Sequence, residues 1–432
     1  MTPNTFAFVN ANVIPMDEDR VLSDQTVIVK YGRITELGTA QNTIIPDGSI
    51  EIDAFGQYLI PALSDMHIHL EGQAWNLIFP PGGQFSSEDL DFSKILFPYI
   101  ANGITTVQVM SAFPEHIRLR DQINRTEILG PRLILNRMVD GPDRAWPPPI
   151  STWVNNSTVS RQVVIEAKEM GYDGIKVYSF LNRDCFDAIL AAANEVGLPV
   201  VGHIPDALSV EYILEAGQKL IAHSEEVMKQ AHGKFDSELI DYFASIIADS
   251  DTWITPTLTT SRKILAIFDD LQGELAAPAT RFMHPMGLGI WSYLIENIYL
   301  KIPPEHHQGI REGFESFQRP FTKALHDQGC KLMAGTDALI PTNIPGFSIH
   351  DELEELVGIG LTPFEALRTA TSFPKEYLGE PGTLGAGILA ELVLLEANPL
   401  EDISFTRKIQ GIMYQGSWMD RVEIDERLNN LY

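Results

Sequence analysis

The sequence predicts an α/β fold: a TIM barrel of eight strand–helix units carrying a small β-sandwich domain assembled from both chain ends. Three observations predict it. Eight short apolar runs with strand character alternate with helical stretches through the middle of the chain. Both ends are instead rich in alternating apolar residues broken by Gly, Asn and Asp turns. Residues able to bind metal recur where the middle runs end, as expected of a parallel barrel that gathers strand ends around one mouth.

Size and composition fit this division. At 432 residues the chain is long for one core, so we expect a barrel over 61–383 and a companion domain from 1–60 and 384–432. A composition of 44% hydrophobic and 21% charged residues is that of an ordinary globular protein. The net charge of −27 argues against nucleic acid or anionic membranes as partners. No apolar run is long enough for a membrane span, and the opening Met-Thr-Pro-Asn-Thr lacks the basic start of a secretory signal, so a cytoplasmic location is expected. Cys185 and Cys330 are far apart in sequence and form no disulfide framework.

The first end, residues 6 to 58, reads as short strands: Phe6 to Val13, Thr26 to Lys30, Ile34 to Leu37 and a short piece around Ile50 to Ile52. The far end repeats the style with Ala390 to Glu396, Ile409 to Tyr414 and Ser417 to Ile424. Between them the expected barrel strands are Leu59 to His67, Ile104 to Met110, Arg132 to Arg137, Gly174 to Tyr178, Pro199 to His203, Lys219 to His223, Trp253 to Leu258 and Lys331 to Asp337. The connecting stretches, such as Arg161 to Met170 and Asp184 to Val196, space their apolar residues as helices do. A doubly wound open sheet is the alternative, but no Gly-x-Gly-x-x-Gly or phosphate loop follows any strand. Two long loops, 71–90 with Trp75 and 138–157 with Trp146, are expected over the barrel mouth. An insertion over 259–317 separates strands seven and eight and is expected to form a lid or the contact of a homo-oligomer.

The polar residues at strand ends carry the chemistry. His67 and His69 are one residue apart and face the same side of strand one, an arrangement suited to a metal but ambiguous by itself. Lys176 lies in strand four, while strands five, six and eight end at His203, His223 and Asp337. All lie at carboxyl ends, so a barrel brings them together. Lys176 is flanked by apolar residues, and burial favours its neutral amine. A neutral amine adds carbon dioxide to give a carbamate, an anionic two-oxygen ligand able to bridge two cations; the alternative is an interior lysine paired with Asp337 or another acid. Tyr178 shares the face of Lys176 and is either a donor to a developing oxyanion or a barrel-lining aromatic. His350 starts the helix after strand eight and is a candidate for holding substrate.

The motifs Asp-Met-His-Ile-His, Ile-Lys-Val-Tyr, Val-Val-Gly-His, Leu-Ile-Ala-His-Ser and Ala-Gly-Thr-Asp, with Leu-Thr-Pro-Phe-Glu-Ala-Leu-Arg-Thr-Ala-Thr behind them, resemble the amidohydrolase superfamily. Within it the chain is similar to the imidazolonepropionase-related group that includes Xaa-Pro dipeptidases. The tail departs slightly, with Glu391 and Glu396 where the family usually has Asp. The resemblance implies that His67, His69 and Asp337 hold one divalent ion and His203 and His223 a second, with carboxylated Lys176 and a hydroxide bridging them. Zinc is the default metal for such ligands. It also implies that Asp337 moves the proton from the hydroxide to the leaving nitrogen.

The expected activity is metal-dependent hydrolysis of a carbon–nitrogen bond in a small substrate, a dipeptide or N-acyl amino acid. Arg137, Arg144, Arg183 and Arg262 are candidates to grip its carboxylate. Deamination is disfavoured, since the residues after His203 offer Asp206 but no nearby Glu. A lactam, lactone or ester hydrolase on the same binuclear centre is the alternative enzyme, and a non-catalytic metal-binding scaffold the alternative outside enzymes.

Overall fold

The structure, a computed structural model, describes residues 5–142 and 146–432. Seven parallel strands follow one another around a barrel in chain order: Leu63–Ile68, Ile104–Val109, Arg132–Asp140, Gly174–Val177, Val200–Gly202, Leu220–Ala222 and Trp253–Thr255. Six of them are buried throughout, as expected of strands covered on both faces, and Arg132–Asp140 is buried except at Arg132, Ile134 and Arg137, which are half-buried. The expected eighth strand lies in the wall but is not a regular ladder. It bridges its neighbours at single points, Leu332 to Ile254 and Ala338 to Ile68. The Met333 N–H donates to the Ile254 carbonyl at 2.9 Å, and the Asp337 N–H to the His67 carbonyl at 2.7 Å, so the barrel closes.

Crowding explains the irregularity. At Gly335 an added Cβ would stand 2.5 Å from the Thr255 methyl and 2.9 Å from the His67 backbone nitrogen, so the chain presses closer to strands seven and one than any side chain allows. Two residues on, Asp337 adopts a left-handed backbone (φ 53°) that leaves the ladder direction.

The small domain is a single sheet of eight strands: Thr5–Val13, Leu22–Lys30, Arg33–Thr39, Ile50–Asp53, Tyr58–Pro61, Leu392–Leu395, Ile409–Tyr414 and Ser417–Asp420. It has its own core, with Phe8, Val27, Leu59, Leu392 and Met413. The stretch expected as one strand from Leu59 to His67 is therefore two. Tyr58–Pro61 pairs with Leu392–Leu395 in the small sheet, and Leu63–Ile68 pairs with Ile104–Val109 in the barrel. The expected strand Ser417 to Ile424 is also shorter. It stops at Asp420, whose carboxylate caps the helix Arg421–Asn429 by accepting the Glu423 N–H at 2.9 Å.

Residues 259–317 are mainly helical. They run through Leu258–Leu275, Pro285–Asn297 and Pro304–Gly313 to a π-helical turn, Phe314–Gln318. That turn aims Gln318 inward, where its amide oxygen accepts from Ser261 at 2.8 Å and from Ser224 at 3.2 Å. The insertion is thereby tied to the residue that follows His223. No helix of the described residues is long and apolar enough to cross a membrane.

Candidate active site

The carboxyl ends of the strands open into a cavity of about 580 Å³, within the usual range for small-molecule sites. His69, Lys176, Tyr178, His203, His223 and Asp337 line it. His67 lies just beneath, fully buried, with its ring 4.5 Å from that of His223 and 5.7 Å from that of His69. Asp337 Oδ1 stands 3.3 Å from His67 Nε2 and 3.1 Å from His69 Nε2, and the rings of His203 and His223 are 5.1 Å apart. The six expected ligands therefore share one site. Potential ligand atoms of His67, His223 and Asp337 lie within 4.8 Å of one another.

Local backbone geometry aims these groups. Gly202 has φ 119° and lies so close to strand four that a Cβ would meet the Val177 carbonyl at 2.3 Å and Lys176 Cγ at 2.8 Å, which lets His203 turn in beside Lys176. His223, Thr257 and Asp337 all have positive φ, at 68°, 50° and 53°. Left-handed backbone at a non-glycine residue costs roughly 1–3 kcal/mol, and such strain collects at functional sites.

Three of the four imidazoles are oriented by hydrogen bonds at Nδ1. His69 Nδ1 meets Ser111 Oγ at 2.6 Å, and His223 Nδ1 meets Thr257 Oγ1 at 2.7 Å. His203 Nδ1 meets both Ser179 Oγ and Glu226 Oε1 at 3.1 Å. Engaging Nδ1 in this way orients each ring with Nε2 left for an ion, and at His203 the Glu226 carboxylate, which only accepts, favours the proton on Nδ1. His203 Nε2, both ring nitrogens of His67 and Asp337 Oδ1 are buried without a hydrogen-bond partner. Orphaned buried ligand atoms around one point are costly unless something binds them, so the donor set fits divalent ions.

The electrostatics agree. Burial lowers the pKa of His67 to about 4 and holds His69, His203 and His223 below the ordinary histidine range, which keeps the imidazoles in their ligating neutral form. Burial alone would push Asp337 up, but the adjoining imidazoles of His67 and His69 hold it well below the usual carboxylate range. Lys176 is 1% exposed, and burial lowers its pKa to about 8. Its amine stands 5.3 Å from the Tyr178 ring centroid. Burial raises the Tyr178 hydroxyl, and that of Tyr299 from the insertion, so both remain protonated donors.

Other expected contributors lie elsewhere. The structure does not bring His350 to the cavity: the residue is buried in the helix Ser348–Gly358, with Nδ1 2.9 Å from Thr406 Oγ1 in the C-terminal segment. Arg137 donates to Thr152 and the Val163 carbonyl, Arg183 to Tyr212, and Arg262 to Glu355 and Glu315. Arg144 lies outside the described residues. Sequence reasoning missed Glu226, which is 1% exposed and accepts from Lys229 at 2.6 Å and from the Ile204 N–H at 3.3 Å while it holds His203. The only signal was its place three residues after His223, one turn into the helix Ser224–Gln230.

A barrel mouth with imidazoles, a buried lysine and the Asp337 carboxylate among them is the architecture of a metal-dependent hydrolase. Residues 58–419 match the amidohydrolase family, and the chain belongs to that family. It is accordingly a hydrolase acting on carbon–nitrogen bonds, in a family that generally works with divalent metals. A search of curated proteins finds no match. Among solved structures the chain is similar to a candidate prolidase from Bifidobacterium longum, at 23% identity, with 100% of both chains covered and a TM-score of 0.75. It is similar to a bottromycin amidohydrolase at 21% identity, covering 99% of this chain and 91% of that one, with a TM-score of 0.76. It also resembles a Xaa-Pro dipeptidase with bound methionine at 20% identity, covering 96% and 100%, with a TM-score of 0.72. At these identities the likeness establishes the fold.

Proposed function

We propose that the protein hydrolyses an amide bond of a small substrate at a binuclear centre in this cavity. The observation that carries the proposal is the set of inward-facing, buried and unpartnered ligand atoms on His67, His203 and Asp337, next to imidazoles held at Nδ1. His67, His69 and Asp337 would hold one divalent ion and His203 and His223 the other, with zinc the default for such donors. When bound, the two ions would supply a nucleophilic water of lowered pKa and polarise the scissile carbonyl.

The chain's own residues do the rest. Asp337 has a second carboxylate oxygen with which to take the proton from the attacking water and pass it to the leaving nitrogen. Tyr178 offers a protonated hydroxyl to the oxygen on which charge develops. Lys176, as its neutral amine, would attack the carbon of carbon dioxide and release a proton to solvent, and the carbamate so formed would supply an anionic ligand to the ions. Assembly of copies through the 259–317 insertion, where Leu300 is 57% exposed, belongs to the same proposal and is checked by sedimentation.

Lys176→Ala tests the bridging role. The wild type stripped of metal is expected to recover amidase activity with zinc only when bicarbonate is supplied, and a ¹³C-labelled carbamate signal should appear with it. The Ala variant is expected to lose about 100-fold in kcat, the upper end of the range for loss of a group that supports a metal site. Full activity of Lys176→Ala, or reconstitution indifferent to bicarbonate, would contradict the proposal.

A further inference from the structure

The walls of the cavity differ from its floor. The floor, at the strand ends, is charged and polar, whereas the walls come from the two long loops and the insertion and, among the described residues, are mostly apolar. Trp75 and Trp146 meet edge to face on one side, with ring centroids 5.8 Å apart. The Trp75 indole N–H is satisfied by the Leu70 carbonyl at 3.1 Å, so no unmet donor is left on that ring. On the insertion's side stand Ile290, Leu294, Ile298 and Tyr299. Ile290 and Leu294 are 0% and 3% exposed, so they belong to a built wall rather than to a loose surface.

Among the described residues, the walls offer no free cation. Lys229, the lysine of the lining besides Lys176, is held by Glu226 at 2.6 Å and by Glu225 at 3.6 Å. A carboxylate on the substrate is common to dipeptides and N-acyl amino acids, so charge does not separate the two, and the apolar surface of the walls is what can. Apolar walls of this extent are favourable only when an apolar group leaves water to fill them.

We infer that the enzyme selects amides in which a large aromatic or branched aliphatic group flanks the scissile bond, N-acyl amino acids with such a group being the chemical type, over small polar dipeptides. The inference rests on the amide-hydrolase reading above and narrows it to a substrate class. The apolar group lies between the tryptophan pair and the insertion, and the carbonyl lies on the floor near Lys176 and Asp337.

The metal-reconstituted full chain is assayed with N-acetyl-alanine, N-naphthoyl-alanine, N-acetyl-tryptophan and alanyl-proline. These probes enlarge the acyl side, the leaving side or neither. At least one bulky probe is expected to exceed N-acetyl-alanine and alanyl-proline by about 30-fold in kcat/KM, the scale of burying one aromatic group. Ile298 is 41% exposed at the rim and can be changed without opening the core. In Ile298→Asp the preference ratio is expected to fall about ten-fold, and in Leu294→Ala by several-fold. Equal or better turnover of alanyl-proline overturns the inference while leaving amide hydrolysis intact. A preference that both variants leave unchanged overturns the assignment of the wall. If esters or lactones are cleaved and no amide is, the amide-hydrolase reading fails and the inference fails with it.

Discussion

Asp337→Asn is expected to lower kcat by about 1,000-fold, the middle of the range for loss of an essential proton-transfer group. The substitution keeps the shape of a buried side chain that stands against His67 and His69, so the fold should persist with a near-native melting temperature. What is lost is charge and basicity. An amide takes no proton from the attacking water at any accessible pH, and it is a poor ligand beside neutral imidazoles. The activity lost is therefore not regained by raising the pH. A steady-state pH profile together with metal analysis checks this. Activity within ten-fold of wild type would remove Asp337 from the proton path.

Glu226→Gln is the second large effect, and it acts through another residue. The carboxylate accepts at one oxygen from Lys229 and meets His203 Nδ1 with the same oxygen, while its other oxygen takes the Ile204 N–H. Every one of these partners faces it with a hydrogen when Nδ1 of His203 is protonated. A glutamine must turn its NH₂ toward one of them, so a donor meets a donor whichever way the amide is flipped. With the NH₂ toward His203 the ring keeps only Ser179, and with the NH₂ toward Ile204 the loop that carries His203 is pushed away; in either case the ion held by His203 and His223 should bind 10–100-fold more weakly, as for other groups that orient metal ligands. Titration of the stripped protein should show one weakened ion and one retained at near wild-type affinity. Equal weakening of both would mean that Glu226 acts on the fold at large and not on His203.

Much of this arrangement was legible in the sequence because barrel geometry converts a one-dimensional pattern into a place. His67, Lys176, His203, His223 and Asp337 each stand at or near the end of an apolar run, and parallel strands bring such ends together. The groups that orient them were not legible. Ser111, Ser179 and Thr257 lie in connections just past strand ends, and nothing in their own neighbourhoods says which ring they face. His350 shows the converse. A histidine at a helix start near strand eight reads as a substrate ligand, but the helix turns its ring toward Thr406 and away from the mouth. The break at Ala62 was hidden because a buried barrel strand and a small-sheet strand are both short and apolar. The Asp420 cap lay within a run that looked like continuing strand.

The central claim is a two-ion centre joined through Lys176. The most direct measurement is anomalous scattering from crystals of the zinc-loaded protein grown with bicarbonate. Two peaks are predicted, one among His67, His69 and Asp337 and one between His203 and His223, with extra density on Lys176 Nζ reaching both. The contrary result is a single peak among His67, His223 and Asp337, the trio that already converges within 4.8 Å, beside a bare lysine in an active enzyme.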